Sequence, residues 1–169
     1  MKEIKLSQRG KNKDKFVALV DDEDFEYLNQ WNWCAAKNGN TYYVQRSIRT
    51  KDKIITVKMH RVIMNTPNGI KTDHRDRNGL HCERHNLRNC TNAQNGANRQ
   101  SWGRSKYLGV TYQNGKIKAQ IQTNGKTTHL GYYKTEELAA KAYDTKAQEL
   151  FGEFANLNFK EPFLNKAAV

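Results

Sequence analysis

The residues best suited to chemistry crowd into one stretch of the chain, KTDHRDRNGLHCERHNLRNCTNAQN, residues 71–95. Asp73 stands beside His74, Asn86 follows twelve residues after the histidine, and Asn95 nine beyond that. An imidazole titrates near neutrality and can take a proton from an attacking water. A carboxylate (Asp73) and a carboxamide oxygen (Asn95) are hard ligands for one Mg²⁺ or Mn²⁺, ions that also accept phosphate oxygens. A hydrogen bond from Asn86 would fix the tautomer and direction of the imidazole. This set suits hydrolysis of a phosphodiester, with the metal offsetting charge on the phosphate and on the leaving oxygen.

The surrounding pattern predicts the scaffold. Val57–Met64 is amphipathic, and Pro67-Asn68-Gly69 turns into a strand that ends at Asp73-His74. A polar loop, residues 75–85, leads to a return strand from Asn86 to Cys90, and Thr91 caps a helix carrying Asn95. In a strand, loop, strand, helix unit, His74, Asn86 and Asn95 can converge at one end. Two other clusters invite a metal. Asp21-Asp22-Glu23-Asp24 reads better as a helix start, with Asp21 or Asp22 as the cap. His81, Cys82, His85 and Cys90 lack paired Cys-x-x-Cys knuckles, so a structural zinc is not expected and the cysteines are expected to pack as small apolar groups.

Met59-His60-Arg61, Asp73-His74, Asn86-Leu87-Arg88 and Asn95 together resemble the HNH nuclease motif, in the form found in phage and bacterial homing endonucleases. The resemblance implies a ββα-metal core with His74 as general base, Asp73 and Asn95 on the metal, and Asn86 orienting the histidine. It places His60 and Arg61 where they pack against the site or hold a phosphate, and makes Arg61 and Arg88 candidate DNA contacts.

Before this core, residues 1–58 read as a small β-rich module. Phe16–Val20 is a short buried strand, Trp31–Ala36 a second, and Asn38-Gly39-Asn40 a hairpin turn into a strand over 41–49. A further strand spans Ile54 to Lys58, and Arg46, Arg49 and Lys53 are candidate phosphate contacts. After the core (residues 59–99) and a polar linker at 100–104, the pattern restarts. Lys116–Gln122 alternates with Ile117, Ala119 and Ile121 inward, Asn124-Gly125 is a hairpin turn, and Thr135 caps a helix whose packing face holds Leu138, Ala139, Ala142, Tyr143 and Leu150. Residues 105–160 are therefore expected to form three antiparallel strands packed on one helix, giving an α+β chain overall. Ser105-Lys106-Tyr107-Leu108-Gly109-Val110, Leu130-Gly131-Tyr132-Tyr133, Ala139–Asp144 and Leu157-Asn158-Phe159 resemble the AP2/ERF DNA-binding domain. That resemblance implies a sheet laid in the DNA major groove through Thr111, Gln113, Asn114, Lys116, Lys118, Gln120, Gln122, Thr127 and His129. Thr, Asn and Gln stand where plant members carry Arg, Trp and Glu, so the plant target sequence does not transfer.

The 29 Lys and Arg outnumber the 17 Asp and Glu, a net charge of +12 that draws polyanions. With no apolar run of about 18 residues, a membrane role is not expected. The polar, basic start MKEIKLSQRGKNKDK lacks an apolar leader core, and three cysteines do not make a disulfide scaffold. The expected setting is the reducing cytoplasm of a bacterial or phage-infected cell, with double-stranded DNA as partner and no small-molecule cofactor. One active site per chain implies a nick from a monomer, and a double-strand break only from a dimer or two sequential events. Two competing readings are a DNA-binding transcriptional regulator with an inactive nuclease core and an RNA-binding structural protein; the second leaves the central motif without a purpose.

Overall fold

The computed structural model describes residues 1–7, 15–101 and 103–159. The chain is a mixed α+β protein of small antiparallel sheets and few helices, divided into two compact units, Met1–Asn95 and Gly96–Val169. The expectations that reach residues 8–14, 102 and 160–169 fall outside the described residues.

In the first unit, β1 (Lys2–Lys5) pairs antiparallel with β2 (Val17–Val20), and α1 (Asp22–Leu28) follows. β1 was not expected, because four residues with a single buried side chain, Ile4, carry almost no apolar period. Three acids occupy the first turn of α1, where the helix dipole favours them, but Asp21 makes no side-chain cap. Its Oδ2 instead accepts from the Arg84 backbone N–H at 2.7 Å, and Asp24 takes the Arg84 guanidinium through both oxygens at 2.6 and 2.8 Å. The acidic run thus ties the helix to the segment leading into the central motif.

β3 (Cys34–Asn38), β4 (Thr41–Arg49) and β5 (Ile54–Lys58) form a sheet in that order. The second strand starts at Cys34 rather than Trp31, because Trp33 turns into the core instead: it is 1% exposed and donates its Nε1–H to the Leu28 carbonyl at 2.8 Å. α2 (Met59–Ile63) leads to the hairpin of β6 (Lys71–His74) and β7 (Leu87–Cys90), and α3 (Asn92–Ala97) follows. One apolar core runs through Ile4, Val20, Leu28, Trp33, Val44, Met59, Cys82 and Leu87, so strands before residue 58 and the hairpin after it are built round the same side chains.

In the second unit, β8 (Val110–Gln113), β9 (Lys116–Thr123) and β10 (Lys126–Tyr133) form a sheet with β9 central, and α4 (Glu136–Phe151) packs on it. Asn114 and Asn124 sit at φ 51° and 50°, each followed by a left-handed glycine, the backbone a two-residue hairpin turn requires. Thr135 Oγ1 caps α4 by accepting from Leu138 N–H at 3.3 Å. The helix buries Ala139, Ala140, Tyr143, Ala147 and Phe151, whereas Leu138 and Leu150 are 48% and 42% exposed. The packing face is therefore rotated toward Ala140, Ala147 and Phe151, while Tyr143 packs so close to Gly109 that a Cβ there would stand 1.9 Å from its Cδ2.

Asp144, fully buried, accepts from Asn158 N–H and Phe159 N–H, both at 2.9 Å, and from the Asn158 amide, which in turn bonds Leu108. Replacing Asp144 by Ala strands three donors, at about 1 kcal/mol or more each. Asp144→Ala is therefore expected to destabilise the C-terminal unit by about 3 kcal/mol, read as a lowered urea midpoint.

Candidate active site

Two cross-strand pairs of the β6–β7 hairpin define the site. Asp73 lies opposite Arg88, and His74 opposite Leu87. Successive strand residues face opposite sides, so the two pairs enter different surroundings. On one face Arg88 donates Nε–H and Nη2–H to Asp73 Oδ2 at 2.9 and 2.8 Å, with both side chains nearly buried. Cys90, two residues along the same face, lies with its Sγ 4.0 Å from Oδ1 of the exposed Asn95. α3 is held there by a reciprocal cap, in which Thr91 N–H donates to Gln94 Oε1 and Gln94 N–H to Thr91 Oγ1.

On the other face His74 meets aromatic edges. Its ring is 4.9 Å from that of His60 and 5.6 Å from that of Tyr43, and Tyr43 and His60 are 5.7 Å apart. Burial, with the charges of His74, Lys58 and Arg61 adding to it, pushes His60 down to about 3. Burial also pushes His74 down to about 4, with Asp76 opposing and His81 assisting. Both imidazoles are thus neutral near pH 7, the state in which a ring nitrogen can accept a proton. Tyr43 is raised by burial and by the Asp73 charge, so it stays a protonated donor.

The connection from His74 to Asn86 is ordered by its own side chains. Asn86 Nδ2 donates to Asp76 Oδ1 at 3.0 Å and to the His81 carbonyl at 2.9 Å, while its Oδ1 accepts from Asp76 N–H at 3.1 Å. Its backbone carbonyl accepts from Arg75 N–H at 2.8 Å. Asn86 therefore stands at the His74 end of the hairpin, and its side chain fixes the loop that follows His74. Asp76 and His81 form a pair at 2.5 Å within the loop. Gly79 presses the loop onto β4: a Cβ would stand 2.4 Å from the Tyr42 carbonyl oxygen and 2.6 Å from Tyr43 Cδ1.

Several candidate DNA contacts have other partners. Arg61 donates to the carbonyls of Thr66, Pro67 and Ile70 at 2.7–3.1 Å, clamping the turn before β6. Arg88 is 8% exposed beside Asp73, and Arg46 lies 4.0 Å above the Trp31 ring. Arg49 and Lys53 are exposed. In the second unit Lys116, Lys118, Gln120 and Gln122 share one sheet face with Thr111, Gln113, Thr127 and His129, opposite the face that buries Ala119 and Ile121. Asn114 serves the turn. A cavity of about 450 Å³ at the margin of this polar face brings in Arg99 and Arg104. Neither arginine, nor Tyr43, Asp76 or His81, was expected at a site. For Tyr43 the one available signal was its place in an alternating strand; the others become neighbours only through tertiary folding. Cys82 is fully buried with its thiol pushed up by burial, and among the described residues no three His, Cys, Asp or Glu side chains group to hold a metal.

A relative from Acanthamoeba polyphaga mimivirus, named as an uncharacterized HNH endonuclease, is 32% identical over 159 residues, spanning 90% of this chain and 79% of its own length. With that likeness extending over both units, the chain belongs to the HNH endonuclease family. No protein-family profile matches it, and no solved structure does. Among the described residues no helix is long and apolar enough to cross a membrane.

The depressed histidines set a pH dependence. Unfolded, both titrate near 6.5, so between about pH 6.5 and 4 the unfolded chain binds more protons, and stability falls as pH drops through that window. The slope reaches at most about 1.4 kcal/mol per pH unit for each proton taken up. The urea midpoint, followed by tryptophan fluorescence, is expected to drop between pH 7 and 4.5, and His60→Gln to flatten that drop.

Proposed function

We propose that the chain is a site-specific DNA endonuclease of the homing type, hydrolysing a phosphodiester with His74 as general base. The observation that carries this reading is a neutral, enclosed imidazole next in sequence to a carboxylate gripped by a guanidinium, in a chain of the HNH family. His74 takes the proton from the attacking water; His60 and Tyr43 fix its ring, and the Asn86–Asp76 loop fixes the strand end that carries it. One Mg²⁺ or Mn²⁺ would be held by the Asp73 carboxylate and the Asn95 carboxamide, both hard oxygen donors, with waters and phosphate oxygens completing its shell. Bound there, the ion would neutralise charge on the phosphate and on the leaving oxygen. Arg88 keeps Asp73 in place for that role. The hairpin and α3 would then be a ββα-metal core.

In the second unit we propose AP2/ERF-type readout. The polar face of β8–β10 lies in the major groove, where Gln120 and Gln122 suit adenine edges and Lys116 and Lys118 suit phosphates. Arg49 and Lys53 extend the contact from the first unit. The protein is proposed to act inside the cell, where DNA and divalent cations meet. A regulator with an inactive core would have no use for a base held neutral beside an oxygen donor set.

The test is nicking of supercoiled plasmids carrying random inserts, with Mg²⁺. The wild-type protein is expected to produce nicked circles, His74→Ala to lower the rate by about 10²–10⁴-fold, and affinity in EDTA to stay within about threefold. Asp73→Ala is expected to lose the metal-dependent rate. A His74→Ala protein that nicks normally would remove the proposed base. A chain ending at residue 104 is expected to bind at least tenfold more weakly and to nick with relaxed preference; unchanged preference would take target reading away from the second unit.

A further inference from the structure

Among the described residues Tyr43 is the one aromatic whose ring meets both imidazoles of the site, at 5.6 and 5.7 Å, and Lys58 Nζ lies 5.7 Å from its centroid. Its position is not free to drift. Thr41 Oγ1 accepts from Gly79 N–H at 3.2 Å, and the close approach of Gly79 leaves no room between the loop and the ring. A half-buried tyrosine hydroxyl ordinarily finds a partner. Among the described residues this one has none, and it is not sealed from solvent. A rigid, protonated donor beside the general base, next to a lysine, is what a non-bridging phosphate oxygen requires as its charge grows during attack.

We propose that Tyr43 is a further catalytic residue, its hydroxyl donating a hydrogen bond to a non-bridging oxygen of the phosphate that is cut. This rests on the nuclease reading above. The hydroxyl keeps its proton throughout; water loses one to His74 as its oxygen bonds phosphorus, the phosphorus–oxygen bond to the leaving sugar breaks, and the sugar oxygen takes a proton from solvent. The ring has a separate part, holding His60 and His74 edge-on, which phenylalanine preserves.

The two parts separate in single-turnover cleavage of a duplex that the wild-type protein cuts, with Tyr43→Phe, Tyr43→Leu and His74→Ala compared. Tyr43→Phe is expected to slow cleavage at least tenfold, with its urea midpoint and its affinity in EDTA within twofold of wild type. Tyr43→Leu is expected to be slower still. Wild-type cleavage by Tyr43→Phe would overturn the proposal even if Tyr43→Leu failed, since the ring alone would then matter. If His74→Ala is inactive in that same series, the nuclease reading survives the loss. A wild-type protein that cuts no duplex ends both.

Discussion

Enclosure keeps His74 neutral near pH 7, the state in which an imidazole can accept a proton. His74 ends a four-residue strand whose partner residue, Leu87, belongs to the main core, and the rings of His60 and Tyr43 close over it. Those rings are in place because the core behind them is complete. Met59, fully buried, seats α2 and so His60, while Val44, fully buried, seats β4 and so Tyr43. The strands before residue 58 thus build the wall that sets the charge state of His74. The cost is borne on acidification, when the unfolded chain takes up protons that the folded site refuses.

The period of a strand gives the neighbouring Asp73 the opposite treatment. It points away from the aromatic wall and receives the Arg88 guanidinium on Oδ2. A carboxylate and an imidazole adjacent in sequence thereby occupy unlike environments without any insertion between them. The loop between the strands is ordered by Asn86 and Asp76 and pressed down at Gly79, which spares the strand end the mobility that a loop of this length would otherwise bring.

What was legible in the sequence was whatever local pattern carries. The order Asp73-His74, Asn86, Asn95 announced a chemistry by residue type alone, and the Asn-Gly turns and strict alternation of 116–122 announced hairpins. Asn86 shows the limit. Its type suggested a hydrogen bond to the imidazole, whereas the bonds its carboxamide makes to Asp76 and to the His81 carbonyl depend on where the loop folds back, which no local pattern carries. The charge of Arg61, Arg46 and Arg88 was visible in the sequence, and the carbonyls, indole and carboxylate that meet them in the fold were not. β1 escaped notice for want of a period, and the burial of Ala140, Ala147 and Phe151 in place of Leu138 and Leu150 is set by how α4 packs on the sheet. Tyr43 was one aromatic among several until tertiary contacts set it against two histidines.

This basic, two-unit chain is proposed to cut DNA at chosen sites through His74. The most direct measurement is to incubate the protein with genomic DNA and Mg²⁺, map new strand ends by sequencing, and run His74→Ala in parallel. Ends that gather at one sequence with the wild-type protein and disappear with the variant are the predicted result. Tight binding to the same DNA by both proteins, with no new ends from either, would contradict it and make the chain a DNA-binding protein that has kept the form of a nuclease.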